Sequence, residues 1–385
     1  MPSTNPIFKA DGPTIFTVMS RLAVETKAIN LGQGFPEDGW SEAVVDRAAL
    51  ALKTDSNQYP PMLGRAELRR AVSDHDLYYW GLNHDPESGV LITAGATEAL
   101  AAAIFALVEP GDEVIVFEPF FDSYLPIIKR AGGIVKLVRM EPPWNLPLDE
   151  FKASLSSRTK LILLNNPMNP TGKVWSRSEL ESIAAAAVQF DCFILSDEVY
   201  EHLVFSEANH IPISSLTGME PRCLRIGSAG KSFSLTGWKI GWIAGNSDLV
   251  QAVARAHQFI TFTVAPNLQL AVAYGLGLGD QWFRGFTAEL ERKRDLFIQG
   301  LQQIGVKSFP SLGTYFVTID IAPYRRHDET DSDFCLRMTR EGGVAAIPYS
   351  ALYERNPPRD LIRLCFAKKD ENLYEGLKRL AQFLT

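Results

Sequence analysis

The chain has 385 residues, of which 46% are hydrophobic and 22% charged, with a formal net charge of −7. That length supports a core large enough for two domains, or for one large domain with an appendage. The acidic balance argues against nucleic acid and anionic membrane partners, and no run of 18 apolar residues exists to cross a bilayer.

Residues 1–40 are rich in Pro, Gly and Asn and read as irregular. Met1–Pro6 shows no basic segment followed by an apolar one, so a secretory signal is not expected and a cytoplasmic location is. Residues 41–52 have helical periodicity. From residue 89, short apolar runs alternate with helical patterns. Strands are predicted at Val90–Thr93, Glu113–Phe117, Ile134–Leu137, Lys160–Asn165, Cys192–Asp197, Cys223–Gly227 and Ile240–Ala244. Helices are predicted between them at Thr97–Leu107, Tyr124–Ala131, Asp149–Leu155 and Glu179–Phe190. This alternation implies an α/β fold: a mostly parallel sheet with helices on both faces. Residues 247–300 read as helical, and 300–385 as a smaller α+β unit. Its strands are predicted at Val306–Phe309, Tyr315–Ile319, Val344–Ile347 and Ile362–Phe366, and its helices near 331–341 and 370–384. The expected division is an N-terminal arm at 1–40 belonging partly to the small domain, a large domain at 41–285 and a small domain at 286–385.

Cys192, Cys223, Cys335 and Cys365 each lie in or beside an apolar segment and read as small buried hydrophobes in a reducing compartment. The six histidines show no clustered spacing. Asp197, Glu198 and His202 have a metal-like pattern, but no second ligand group lies nearby in sequence, so no metal site is expected.

Several strand ends carry chemistry. Lys231 follows the run Cys223–Gly227 in Ser228-Ala229-Gly230-Lys231-Ser232. A partly desolvated amine there can lose its proton and attack a carbonyl. Asp197 ends another run, with Tyr200 three residues on, and Asn169 lies in the loop closing a third. An amine, an acid, a phenol and an amide at strand ends suggest a site that handles an aldehyde cofactor. Asp197 could pair with a protonated ring nitrogen or simply cap a helix. Thr93-Ala94-Gly95-Ala96-Thr97 joins a strand to a helix start, and with Ser228 and Lys239 it makes a phosphate cup; Thr97 could equally be a plain N-cap. Arg363 interrupts Leu361–Phe366, where its fork suits a carboxylate; an edge strand or ion pair is the alternative. Phe120 and Phe121 could stack on a ring or pack in the core.

Taken together, Ser228–Trp242, Asn169-Pro170-Thr171-Gly172, Asp197-Glu198-Val199-Tyr200 and Arg363 resemble the motifs of class I aminotransferases that use pyridoxal 5'-phosphate. The resemblance runs from Ile15 to about Leu384. Asn30–Pro36, Asn57-Gln58-Tyr59, Glu118–Tyr124 and Gly343–Pro348 are similar to the branch of kynurenine aminotransferases, glutamine transaminase K and bacterial methionine aminotransferases. The resemblance implies fold type I, with a seven-stranded sheet and a smaller α+β domain. It implies that Lys231 carries the cofactor as an imine, that Asp197 pairs with the ring nitrogen, and that Tyr200 and Asn169 contact the ring hydroxyl. Phe121 would stack on the ring, and Ala96, Thr97, Ser228 and Lys239 would hold the phosphate. Tyr59 would reach the neighbouring subunit's phosphate in a homodimer, while Arg363, with Gly34 and Asn169, would bind the substrate α-carboxylate. Within His257–Pro266 no arginine matches the one that aspartate aminotransferases use for a side-chain carboxylate. The expected reaction is ping-pong transfer of the amino group of methionine, glutamine or aromatic amino acids, including kynurenine, to a 2-oxo acid. Phe16, Trp40, Tyr59, Phe121, Phe262 and Tyr315 are candidates for an apolar pocket. A β-lyase acting on cystathionine or cysteine S-conjugates is the alternative.

Overall fold

A computed structural model describes residues 5–8 and 13–384. Residues 1–4, which carry part of the N-terminal reading, lie outside this set. The strands are β1 (Ile29–Asn30), β2 (Val90–Thr93), β3 (Glu113–Glu118), β4 (Ile134–Arg139), β5 (Thr159–Asn165), β6 (Phe193–Asp197), β7 (Cys223–Ser228), β8 (Gly241–Gly245), β9 (Phe316–Asp320), β10 (Val344–Ala345), β11 (Ile347–Pro348) and β12 (Leu361–Cys365). The main sheet has the order β2-β8-β7-β6-β5-β3-β4. Every neighbouring pair is parallel except those that β8 makes with β2 and β7.

The inner strands of the main sheet are mostly apolar because both their faces are covered, whereas the edge strand β4 is only partly buried. In β5, Leu161 and Leu163 enter one buried cluster, and Ile162 and Leu164 enter another on the opposite face. The helix Gly95–Leu107 contributes Ala99, Ala102 and Ala103 to the first cluster. Asn165, Asp197 and Ser228 end β5, β6 and β7. Parallel neighbours therefore bring these residues side by side at the carboxyl edge of the sheet, where ligands of open α/β sheets bind.

A second sheet, β11-β12-β9, is antiparallel, with β12 in the middle. Asp331–Glu341 and Asp370–Leu384 are its helices. The short strand β1 pairs in parallel with β10, matching Ile29 with Val344.

The structure corrects several expectations. Residues 1–40 are not wholly irregular: Ile15–Thr26 is a helix, with the Thr14 side chain accepting from the Thr17 amide as its N-cap. Ala66–Trp80 is a further helix that the pattern missed. Val306–Phe309 is not a strand and makes only a single bridge, Ser308 to Ile319. Val344–Ile347 is two short strands, because the chain passes at Ala346 from the sheet of β1 to that of β12. The four cysteines are buried and free. Among the described residues, no helix is long and apolar enough to cross a membrane.

Candidate active site

A cavity of about 390 Å³ opens at the carboxyl edge of the main sheet. Its lining includes Gly34, Ala96, Thr97, Phe121, Asn169, Asp197, Tyr200, Ser228, Lys231, Lys239 and Arg363. Of the residues the resemblance assigns to cofactor or α-carboxylate, all line this cavity except Tyr59; Phe120 is buried outside its wall.

Lys231 sits in the short helix Ala229–Ser232 that follows β7. Its Nζ donates to Tyr315 Oη at 2.8 Å, and Tyr315 Oη donates to the Gly34 carbonyl at 2.7 Å. Burial lowers the Lys231 pKa to about 8, which makes the neutral amine accessible near neutrality. Asp197 is buried at the end of β6, and burial raises its pKa to about 6 even though Tyr124 Oη donates to its Oδ2 at 2.6 Å. Tyr124 stands in Glu118–Tyr124, a motif noted in the sequence, but nothing local shows that its hydroxyl reaches a strand 73 residues away. Asp197 caps no helix, since β6 runs into a turn. Tyr200 is buried, with its ring centroid 5.5 Å from Lys231 Nζ.

Asn165 ties the loop after β5 to this edge. Its amide donates to the Asp197 carbonyl at 2.9 Å and its Oδ1 accepts from the Asn169 backbone at 2.7 Å. That bond aims Asn169 Oδ1 at Arg363 Nη1, 2.9 Å away. Arg363 lies in the central strand of its sheet, and among the described residues no carboxylate pairs with it. This excludes both alternatives raised for it, edge strand and ion pair. Its Nη2 donates to Gly32 O at 2.9 Å, and its guanidinium lies 4.0 Å from the Phe316 ring centroid. Its Nε is buried without a hydrogen-bond partner, so a donor remains for an incoming anion. Gly34 leaves room for this arrangement: a Cβ there would stand 2.6 Å from the Phe316 ring.

The helix Gly95–Leu107 points its N-terminus into the cavity with no side-chain cap. Thr97 is thus not its N-cap, and the first-turn amides are open to an anion. Gly95, at φ +74°, lies against Lys239: a Cβ on it would be 3.2 Å from Nζ. Of the pocket candidates, Phe16 and Phe121 line the cavity and Tyr315 holds Lys231. Trp40, Tyr59 and Phe262 are not in its wall. Tyr59 is 84% exposed and meets Phe262 edge-on at 5.8 Å. Asp122 also lines the cavity, and burial raises its pKa; the sequence had given it no role.

The family model for "Aminotransferase class I and II" matches residues 26–380. The chain belongs to that family. This aminotransferase is 40% identical to the methionine aminotransferase of Escherichia coli, over 96% of each chain. It is 35% identical to the kynurenine–oxoglutarate transaminase of Dictyostelium discoideum, over 95% of this chain and 93% of that one. The solved N-succinyldiaminopimelate aminotransferase of Mycobacterium tuberculosis superposes with a TM-score of 0.96 at 39% identity, covering 99% of this chain and 100% of that one. The fold is type I of the pyridoxal-phosphate enzymes, and the aminotransferase uses pyridoxal 5'-phosphate. The residues present fit that cofactor: a desolvated amine, a buried acid for a ring cation, and an uncapped helix end with a lysine for a phosphate.

Proposed function

We propose that the aminotransferase moves the amino group of methionine, glutamine or an aromatic amino acid, kynurenine included, to a 2-oxo acid in two half-reactions at one site. The observation that carries this reading is the cavity itself. Lys231, Asp197 and Arg363 all line it, and Arg363 has no carboxylate partner among the described residues.

When bound, pyridoxal phosphate supplies an electron sink for the charge left on the substrate carbon. Lys231 holds it and, once released, takes the α-proton at Nζ and returns it, with Tyr315 orienting the amine. Asp197 would hold a proton on the cofactor's ring nitrogen, Tyr200 and Asn169 would contact its ring oxygen, and Phe121 would pack against the ring. Ala96, Thr97, Ser228 and Lys239 would hold the phosphate. Arg363, with Gly34 and Asn169, would bind and orient the substrate α-carboxylate.

The choice of donor rests on charge. Among the described residues, Lys231, Lys239 and Arg363 are the only cationic side chains in the cavity wall, and each has a task in this reading. Among the described residues no cation remains for a second carboxylate, and Asp122 adds an acid to the same wall. This disfavours aspartate and N-succinyldiaminopimelate as donors, despite the relative of that name. In this reading the enzyme is a cytoplasmic homodimer. Tyr59, with exposed Phe259 and Phe262 nearby in the fold or chain, meets the partner's phosphate site. Residues 41–285 hold the cofactor, and 286–385 with part of 1–40 carry Arg363; the β1–β10 pairing supports that grouping. Donor profiling tests the substrate reading: turnover with methionine, glutamine and phenylalanine is expected. Negligible turnover with all three, alongside good turnover with aspartate, would overturn it.

A further inference from the structure

Four of the six histidines, dispersed in the sequence, meet in space behind the catalytic edge. Arg225, buried in β7, pairs with Asp76 at 2.5 Å, with Glu198 at 2.8 Å and with Glu201. His75 and His84 each lie 3.5 Å from Asp76, and His210 Nε2 lies 3.0 Å from Glu198. One guanidinium faces three buried carboxylates, so with neutral imidazoles the cluster carries a formal charge of −2 (one positive and three negative groups). An uncompensated buried charge of that size calls for a cation.

Three residues offer ligand atoms for one. His75 comes from the helix Ala66–Trp80, and Glu201 and His202 from the turn after β6. Their ligand atoms all lie within 4.8 Å of one another. The two Nε2 atoms are 2.7 Å apart, one donating to the other. Glu201 Oε2 is taken by Trp80 Nε1 and Arg225, but Glu201 Oε1 is buried with no hydrogen-bond partner. Phe283 stacks on the His202 ring at 4.0 Å and fixes its plane. Glu201 and His202 also line a separate cavity of about 860 Å³, which supplies a route from solvent and room for a water ligand. A plain imidazole pair in a core would need neither the carboxylate oxygen left bare beside it nor the excess negative charge.

We propose that His75, His202 and Glu201 bind a divalent transition-metal ion, with zinc the best match to two imidazoles, one carboxylate and a water. The ion takes the place of the proton between the two Nε2 atoms, and the ring that carried it becomes the Nδ1–H tautomer by exchange with solvent, so both rings stay neutral and both Nε2 lone pairs are free to ligate. The Nε2 atoms then separate to about 3.3 Å, as tetrahedral zinc–nitrogen bonds of about 2.0 Å require. The ion would brace the helix Ala66–Trp80 against the segment that follows Asp197.

The test uses the cofactor-loaded protein, stripped with chelator and then given zinc or cobalt(II) alone. One ion per chain is expected in equilibrium dialysis, with a rise in Tm. Cobalt should give the visible d–d absorption of a four-coordinate site. His75→Asn should lose the ion and leave the cofactor absorbance unchanged. Zinc-edge anomalous maps from soaked wild-type crystals decide the matter without relying on a variant. A peak between His75 and His202 supports the site. No peak there overturns it, including the outcome in which zinc is found only at the cofactor or at the exposed pair His327–Asp328.

Discussion

Asp197 and Lys231 each hold a charge where burial opposes it, and this costs stability that substitution should return. For Asp197 the folded pKa of about 6 stands above the ordinary 3.8. The folded state therefore binds more protons than the unfolded one between these values, and the acid destabilises the fold increasingly as pH rises through that window. Asp197→Asn should accordingly raise the Tm of cofactor-free protein at pH 8, by a margin equivalent to about 2–3 kcal/mol less the weakened Tyr124 bond. The gain should shrink as pH falls through 6 and vanish near 4, while amino transfer is lost. Calorimetry across pH checks both. For Lys231 the sign is opposite in pH: its folded pKa of about 8 lies below 10.5, so its penalty is full below 8 and gone above 10.5. Lys231→Met should stabilise cofactor-free protein at pH 7 but not at pH 11. Arg363→Lys keeps the charge but not the fork held by Asn169 and Gly32. It should lower kcat/KM roughly 10- to 100-fold for every amino donor, through KM, with cofactor affinity unchanged.

At the scale of elements, the site depends on how closely β8 approaches the turn after β2. A Cβ on Gly241 would stand 2.6 Å from Gly95 C and 2.7 Å from Ala96 N. Gly241→Ala should push the anion-facing amides out of place, lowering cofactor affinity in titrations and stability by about 1–3 kcal/mol. The main-sheet strands were legible in the sequence because burial on both faces makes them continuous apolar runs, as in Leu161–Leu164. Ala66–Trp80 was not, because its inward face is polar: Arg69, Ser73, His75 and Asp76 are buried, which breaks the apolar stripe that marks a helix. The strand-end motifs revealed Lys231, Asp197, Asn169 and Arg363, since each is a polar residue closing or interrupting an apolar run. Tyr124, Asp122 and the histidine cluster escaped notice because their partners come from remote segments. His75 and His202, for example, are 127 residues apart and meet only through the fold.

At the scale of the whole molecule, Tyr59 divides the work between two chains in the proposed dimer. Mixing Tyr59→Ala with Lys231→Ala protein and allowing subunits to exchange should give hybrids with one fully native site, and activity above either parent. Absence of complementation, with hybrid formation confirmed by native mass spectrometry, would show that each chain works alone. The grip on Arg363 also joins distant parts of the chain. Gly32 O holds its Nη2, Leu31 O accepts from the Cys365 amide, and β1 lies along β10. Biosynthesis delivers these partners at opposite times. The nascent Asn30–Gly34 segment leaves the ribosome among the first residues and has to wait, undocked, until β12 emerges near the end of translation. If Arg363 grips the substrate carboxylate as proposed, that grip cannot form before β12 is made, and a chain that ends between Lys231 and Arg363 would lack it.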